Sequence, residues 1–186
     1  MLRLLLAACS LLLSALLLAG CCGAISCDCQ DERDDALLLR FSADSTGGTG
    51  FRAAEVDTVL LVRRVLPQDS VRGTVPDTAR LIRPAAQVFE PLVLDNTTPF
   101  PARAGRKLDA YRYHIVLPGP RRRSPVRRRY TLTELSVDGR LDTDGCCTCY
   151  ENTAKSLRLG LPGGSSRVVN AYSPPGAAPV VTVLPR

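Results

Sequence analysis

The residues most able to do chemistry in this chain of 186 residues are its eight cysteines. Six of them follow position 21 and form two groups separated by more than 100 residues. An even number of cysteines in an exported protein is typical of a disulfide framework. The early group is Cys22, Cys27 and Cys29, and the late group is Cys146, Cys147 and Cys149.

Disulfides between the two groups are the pairing that the spacing favours. Cys27 and Cys29 lie two residues apart, so on an extended chain their side chains point the same way without facing each other. We therefore expect them to pair with the late group, which would tie the start of the mature chain to a late strand. The sequence does not choose among the connectivities, and it leaves Cys22 open as an unpaired residue. The disulfide candidates are Cys27, Cys29, Cys146, Cys147 and Cys149.

A soft-metal site is the alternative use of the same sulfur atoms. Thiolates in C-x-C and C-C-x-C segments suit Cu(I) or zinc. Zinc sites more often combine a C-x2–4-C segment with histidine, and this chain has one histidine. Two interpretations therefore stand side by side, a disulfide framework and a periplasmic copper or zinc carrier that uses Cys27, Cys29, Cys147 and Cys149.

The N-terminus has the pattern of a secretory signal. Arg3 gives it a cationic start, and residues 4–18 form an apolar run broken only by Ser10 and Ser14. That run is shorter than the roughly 20 residues that a membrane-spanning helix needs. A cationic start, an apolar stretch and small residues after it predict a signal helix that is removed on export. An ordinary cleavage after Ala24 and an uncleaved anchor are the alternatives.

The end of the apolar run, Leu18-Ala19-Gly20-Cys21, resembles the lipobox of bacterial lipoproteins. The resemblance implies that residues 1–20 are removed and that the Cys21 thiol carries a diacylglyceryl group, with acyl chains such as palmitate. Two or more acyl chains hold a protein stably on a membrane. Residues 21–35 would then be the lipidated cysteine and a polar tether.

An arginine-rich segment is the second motif with a chemical meaning. It follows Pro118-Gly119-Pro120 and lies between two predicted strands, which places it at the tip of a hairpin. Six guanidinium groups there would attract phosphate, sulfate or carboxylate groups, as in lipopolysaccharide, an acidic polysaccharide or an acidic protein. Interleaved aromatic residues that would stack on bases are missing, so no nucleic-acid partner is predicted. The six are Arg121, Arg122, Arg123, Arg127, Arg128 and Arg129, and a merely solvated charged loop is the alternative.

Catalysis is not predicted. His114 is the only histidine, and it lies in the middle of a predicted strand. No G-x-S-x-G or H-E-x-x-H segment accompanies it, so neither a serine-hydrolase nor a zinc-protease site is indicated. Asp138, Asp142 and Asp144 flank glycines and have the pattern of turn residues, without the spacing of an EF-hand. We therefore predict no enzyme activity, no cofactor and no metal site.

The elements around these motifs are predicted to be strands. Short runs rich in β-branched and aromatic residues alternate with turns containing glycine and proline, and no helical stripe appears after residue 20. This pattern predicts an all-β domain over residues 36–186, an antiparallel β-sandwich of the Ig-like or Greek-key type. The predicted strands are residues 36–42, 56–65, 79–83, 87–94, 108–117, 129–141, 149–161, 167–172 and 180–184.

Several of these segments together resemble uncharacterised small lipoproteins of Bacteroidota. The resemblance rests on the lipobox, the C-x-C at Cys27 to Cys29, the stretch from Phe51 to Val59, the arginine-rich hairpin and C-C-T-C-Y-E-N-T from Cys146. It implies lipidation and export to the cell envelope, at the outer membrane or the periplasmic face, and it brings no assigned activity. The sequence therefore predicts a lipid-anchored, non-catalytic binding or structural module.

Overall fold

A computed structural model describes residues 27, 29, 35–43, 48–66, 75–102, 106–119 and 128–186. The chain divides into two compact units, which we describe separately. Unit 1 comprises Met1–Asp31 and Arg140–Glu151, and unit 2 comprises Glu32–Gly139 and Asn152–Arg186. In chain order the elements are β1 (Leu37–Phe41), a four-residue helix α1 (Ala53–Val56), β2 (Thr58–Val65), β3 (Asp77–Ile82), β4 (Leu92–Leu94), a 3-10 helix (Leu108–Ala110), β5 (Tyr111–Leu117), β6 (Arg128–Asp144), β7 (Cys147–Gly160), β8 (Ser166–Asn170) and β9 (Val181–Leu184).

The larger sheet has six strands in the order β3-β2-β5-β6-β7-β8. Its formation follows from the alternation of side chains along each strand. In β5 the side chains of Tyr111, Tyr113 and Ile115 are buried, whereas Arg112 between them is exposed. Antiparallel pairing of β2 with both β3 and β5 extends this pattern, so one face of the sheet lies on the core.

The smaller sheet has three strands in the order β4-β1-β9. Leu37, Leu39 and Phe41 alternate with less buried residues along β1. β1 pairs antiparallel with β4 but parallel with β9, so the predicted antiparallel arrangement is wrong for this pair. The reason is that alternation fixes which face of a strand is buried but carries no information about the direction of its neighbour.

One cluster of buried side chains in unit 2 contains residues from both sheets. Phe41 of β1 lies 5.5 Å from the ring of Phe51 in an edge-on contact and 6.4 Å from the ring of Tyr130 in β6. The Tyr130 hydroxyl donates to the carbonyl of Pro185, just after β9. The mostly β composition predicted from the sequence is therefore confirmed, with two sheets sharing this buried cluster.

An arginine-centred turn replaces part of one predicted strand. Residues 85–89 form a turn, and the strand predicted over residues 87–94 begins only at Leu92. The Arg83 guanidinium donates to the carbonyls of Gln87, Val88 and Glu90 at 2.5–2.7 Å. These three hydrogen bonds satisfy carbonyl groups that a strand would otherwise pair, which makes the turn stable. Burial lowers the pKa of Arg83 from its ordinary value, against the opposing charge of Glu90.

Strand β6 contains an irregularity at Glu134, whose φ of 49° is left-handed. Before it the buried positions are Tyr130 and Leu132, and after it the buried position is Leu135. This one-residue shift is what a β-bulge produces. Uninterrupted alternation would place Glu134 on the face of Leu132 and Leu135 on the other, so the regular pattern of this predicted strand stops at Leu132. An ion pair of 2.8 Å joins the Glu134 carboxylate to Arg158 of β7.

Unit 1, in its described part, is the far end of the β6–β7 hairpin together with Cys27 and Cys29. The strands meet at a two-residue turn where Gly145 adopts a φ of 58°, a conformation that favours glycine. Asp138, Asp142 and Asp144, predicted as turn residues, lie within β6, because the strand continues to Asp144. Across the described ranges, no helix is both long and apolar enough to cross a membrane.

Candidate functional site

Disulfides join the two cysteine groups in unit 1. Cys27 pairs with Cys147 and Cys29 pairs with Cys149, with Cα atoms 5.5 Å and 5.3 Å apart. Both bonds connect residues 120 positions apart, so the chain from Cys27 to Cys29 runs in the same direction as β7. Cys146 is disulfide-bonded as well. The predicted pairing between early and late cysteines is confirmed, and it supplies the connectivity that the sequence left open.

These disulfides bear directly on the soft-metal alternative. Copper and zinc bind cysteine as the thiolate, and a sulfur atom in a disulfide is not a thiolate. The oxidised protein therefore does not present the ligand set that this alternative requires. Within the described ranges, no group of three or more histidine, cysteine or acidic side chains is placed to hold a metal ion. Disulfides of this kind persist in oxidising compartments outside the cytosol.

The predicted lipidation and loop residues are placed only in part. Cys21, Cys22 and the loop arginines Arg121, Arg122, Arg123 and Arg127 lie outside the described residues. Arg128 and Arg129 begin β6, and they are used differently. The Arg128 guanidinium lies 5.6 Å from the centre of the Phe51 ring, a cation–π contact. Arg129 is exposed on the face of the sheet that is opposite to the core.

Arg129 is one of four arginines that share this face of the large sheet. Strand register places Arg80, Leu60, Val116 and Arg129 in one row across β3, β2, β5 and β6. The next row contains Val62 and His114, and the row after it pairs Arg64 directly with Arg112. All four arginines are exposed. We call Arg64, Arg80, Arg112 and Arg129, with His114 among them, the arginine face.

His114 reports the positive charge of this face. Its side chain is half-buried, and Nδ1 lies 3.3 Å from Oγ1 of Thr131 in the neighbouring strand. Burial lowers the pKa of His114 from its ordinary value, and the charges of Arg129, Arg64 and Arg112 lower it further. Three guanidinium groups from three adjacent strands therefore act on one imidazole ring.

Carboxylates do not balance this charge. The positions on this face of β2, β3 and β5, and of β6 as far as Thr133, include no aspartate or glutamate. In the described part of the chain, none of the four arginines forms an ion pair. Other arginines of the protein are paired, namely Arg63 with Asp77, Arg140 with Glu151, Arg158 with Glu134 and Arg186 with Glu55.

Like charges placed directly across two strands, as in Arg64 and Arg112, destabilise a sheet. An anion bound over the face would relieve that repulsion and would gain from the summed positive potential. Half-buried Val62 adds apolar surface between the charges, and exposed Ile82 adds it beside Arg80. The arrangement suits an extended ligand that carries several negative groups.

Sequence reasoning found the arginine run but missed the arginines inside the strands. Arg64, Arg80 and Arg112 occur singly, and only the alternation of each strand together with the strand order brings them to one face. Alternation alone placed Arg112 opposite to the buried tyrosines of β5, which was the available signal. Comparison with known proteins adds no further assignment, since no family model, no curated protein and no solved structure matches this chain.

Proposed function

We propose that this chain is a lipid-anchored protein of the bacterial cell envelope that binds an acidic polymer without catalysing a reaction. The observation that carries the proposal is the arginine face, where four guanidinium groups have no ion-pair partner, and the strand positions no carboxylate, among the residues that the structure describes. The ligand class is a polysaccharide or lipopolysaccharide that bears phosphate, sulfate or carboxylate groups. The arginine-rich segment from Arg121 to Arg129 leads into this face at Arg129 and would extend it.

The anchor in this proposal is the thiol of Cys21, freed by removal of residues 1–20. Residues 21–35 would be the tether and residues 36–186 the folded part. Disulfides from Cys27 and Cys29 support a location outside the cytosol, since such bonds form and persist in oxidising compartments. Outside the cytosol these disulfides would also not be exposed to the thiol reductants that keep cytosolic cysteines reduced.

We also propose that the two sheets of unit 2 pack face to face as a sandwich of the Ig-like or Greek-key type. The support is the single buried cluster, to which β1, β4 and β9 contribute from one sheet and β2, β5, β6 and β7 from the other. Residues on the two inner faces of a sandwich form such a shared core.

Retention on heparin or lipopolysaccharide resin tests the binding proposal. The triple variant Arg64→Gln, Arg112→Gln and Arg129→Gln is expected to elute at lower salt than the wild type, because it removes three unpaired charges. The matched control changes three paired arginines, Arg140→Gln, Arg158→Gln and Arg186→Gln. It removes the same net charge and should elute later than the first variant. Equal elution of the two variants would show that only net charge matters and would reject the arginine face.

The single histidine gives a local readout of the same event. An anionic polymer over the face would offset the charges of Arg64, Arg112 and Arg129, so the pKa of His114 should rise when heparin is added. The Hε1 proton resonance of the only histidine can be followed by NMR as pH is varied. An unchanged titration curve in the presence of bound heparin would place the polymer elsewhere.

Metabolic labelling tests the anchor. Labelled palmitate should enter the wild-type protein and should not enter Cys21→Ala. The variant Cys27→Ala is the control, because it removes a cysteine that the structure places in a disulfide. Equal labelling of the wild type and Cys21→Ala would reject Cys21 as the lipid site.

A further inference from the structure

A cavity of about 180 Å³ lies at the end of β2 and is bounded by residues of unit 2. The lining includes three arginines, Arg63, Arg64 and Arg106, and one acidic residue, Asp77. Its side chains therefore carry an excess of positive charge. The ring of Tyr111 forms part of the wall, and valine side chains supply apolar surface beside it.

Arg63 is the most constrained of these side chains. It is only 3% exposed, and its guanidinium carbon lies 4.7 Å from the centre of the Phe100 ring and 4.6 Å from that of Tyr111. Its Nε donates to Asp77 at 2.9 Å, and its Nη2 donates to the carbonyl of Pro101 at 2.9 Å. A guanidinium has five N–H donors, so these two bonds leave donors of Arg63 for a ligand. The side chain needs no reordering to offer them.

The hydroxyl of Tyr111 is the independent sign of a ligand. The residue is 3% exposed, and its buried hydroxyl oxygen has no hydrogen-bond partner among the described residues. A buried tyrosine hydroxyl usually has one, because leaving it unpaired costs stability. A molecule bound in the cavity would complete the hydrogen bonding of a group that the protein alone leaves unsatisfied.

We propose that this cavity binds a small organic anion, a carboxylate or phosphate group on a short apolar body. Arg63 and the other arginines would hold the charged end, and the Tyr111 hydroxyl would donate to one of its oxygen atoms. The volume equals about six water molecules at roughly 30 Å³ each, which exceeds a bare inorganic ion and leaves room for a few carbon atoms. This site is separate from the polymer surface of the proposed function, although Arg64 borders both.

An NMR titration of the full-length, disulfide-bonded protein in detergent tests the proposal with butyrate as the probe. Amide resonances of Arg63, Val65, Asp77 and Tyr111 should shift saturably, with a Kd in the millimolar range. Inorganic phosphate carries negative charge but has no apolar part. It should therefore bind more weakly than butyrate if the apolar walls of the cavity contribute to binding. Butanol, which lacks the charge, should cause no saturable shift. Butyrate causing no shift at these residues would overturn the proposal.

The variant Tyr111→Phe separates a ligand contact from a structural role. It removes only the hydroxyl, so it should raise the Kd for butyrate about five- to tenfold while the fold is kept. Since the hydroxyl has no protein partner, the variant should unfold at no lower temperature than the wild type. An unchanged Kd would show that the hydroxyl does not meet the ligand and would reject the assignment.

Arg112→Gln is the control for the other basic surface, because Arg112 is on the arginine face and does not line the cavity. It should leave the butyrate Kd unchanged while weakening retention on heparin. Arg106→Gln should raise the butyrate Kd and leave retention on heparin unchanged. These two variants make failure of the cavity proposal distinguishable from failure of the polymer proposal.

Discussion

Unit 1 and unit 2 are stabilised by different means. In unit 2 a cluster of buried aliphatic and aromatic side chains lies on two sheets, and Leu39, Val59 and Ile115 in it are fully buried. In the described part of unit 1 no side chain belongs to that buried class. Its links are the disulfides of Cys27 and Cys29 and an exposed ion pair of Arg140 with Glu151 at 3.1 Å.

This difference shows how one chain divides its stability between burial and covalent bonds. Apolar burial contributes about 25 cal/mol per Å² removed from water, a source that unit 1 lacks in its described residues. An exposed ion pair adds little. The cysteines of unit 1 therefore have a structural explanation, independent of metal or catalysis. The comparison predicts that chemical reduction and core mutation affect different parts of the molecule.

Full reduction of the disulfides is expected to have the largest effect. The bonds close a loop of 120 residues, and the first such closure is worth about 5 kcal/mol of unfolding free energy in the chain-entropy model. Hydrogen exchange should show residues 140–151 losing their protection completely, while β2 and β5 stay folded and lose protection only in proportion to the lower unfolding free energy. Equal loss of protection in both units would contradict the comparison.

Removing a single disulfide should cost less than half as much. With Cys29–Cys149 intact, the Cys27–Cys147 bond closes only a small ring, worth about 2 kcal/mol in the same model. The double variant Cys27→Ser and Cys147→Ser should therefore lose less than half of the unfolding free energy that full reduction removes. Urea unfolding measures both losses. If the double variant lost as much unfolding free energy as full reduction removes, the Cys27–Cys147 bond would account for the whole effect of the disulfides.

Within unit 2, breaking the buried ion pair of Arg63 and Asp77 should have an effect between those of full reduction and of removing one disulfide. Asp77→Ala leaves the guanidinium of Arg63 buried without its carboxylate and should lower the unfolding free energy by about 3–5 kcal/mol. Arg63→Met fills the same space without a charge and should cost much less. Urea unfolding under oxidising conditions measures both. Equal losses would show that the attraction within the pair, rather than the buried charge, determines stability.

Leu61→Ala tests burial without charge. Leu61 is 1% exposed, so its truncation should lower the unfolding free energy by about 2–5 kcal/mol whether or not the disulfides are reduced. Ile82→Ala is the control, because Ile82 is 72% exposed in the adjacent strand. It should stay within about 0.5 kcal/mol of the wild type. If Leu61→Ala lowered the unfolding free energy only in the reduced protein, the core of unit 2 would not be stable independently of the disulfides.

The smallest effect concerns pH. His114 has its pKa lowered by burial and then by Arg129, Arg64 and Arg112, so the folded protein favours the neutral ring. Its contribution to stability is present above the ordinary value of 6.5 and is lost as pH falls through the lower pKa of the folded state. His114→Gln should remove this slope below pH 6.5 in thermal unfolding. An unchanged slope would assign it to other groups.

Much of the fold could be predicted from the sequence, because alternation of apolar and polar residues is a local signal. It placed eight of the nine strands to within three residues at each end, including the long β6 and β7. The disulfide pairing between early and late cysteines also followed from side-chain direction.

The rest depends on contacts that no local pattern records. The turn at residues 85–89 exists because Arg83 binds three carbonyls, and the sequence shows only a short apolar run, Leu92 to Leu94, beyond it. The parallel pairing of β1 with β9 and the shift at Glu134 depend on neighbouring strands. For the same reason the arginine face was invisible, since Arg64 and Arg112 meet only through strand register.

The disulfides that join Cys27 and Cys29 to β7 have a mechanical consequence. Tension applied to the chain ahead of Cys27 passes through sulfur into Cys147 and Cys149 and then along β7. The 117 residues between Cys29 and Cys147 are bypassed, so β1 is not peeled from its neighbours by such a pull. A pull on the chain ahead of Cys27 therefore loads the disulfides and β7 first, and β1 would bear that force only after the bonds were reduced.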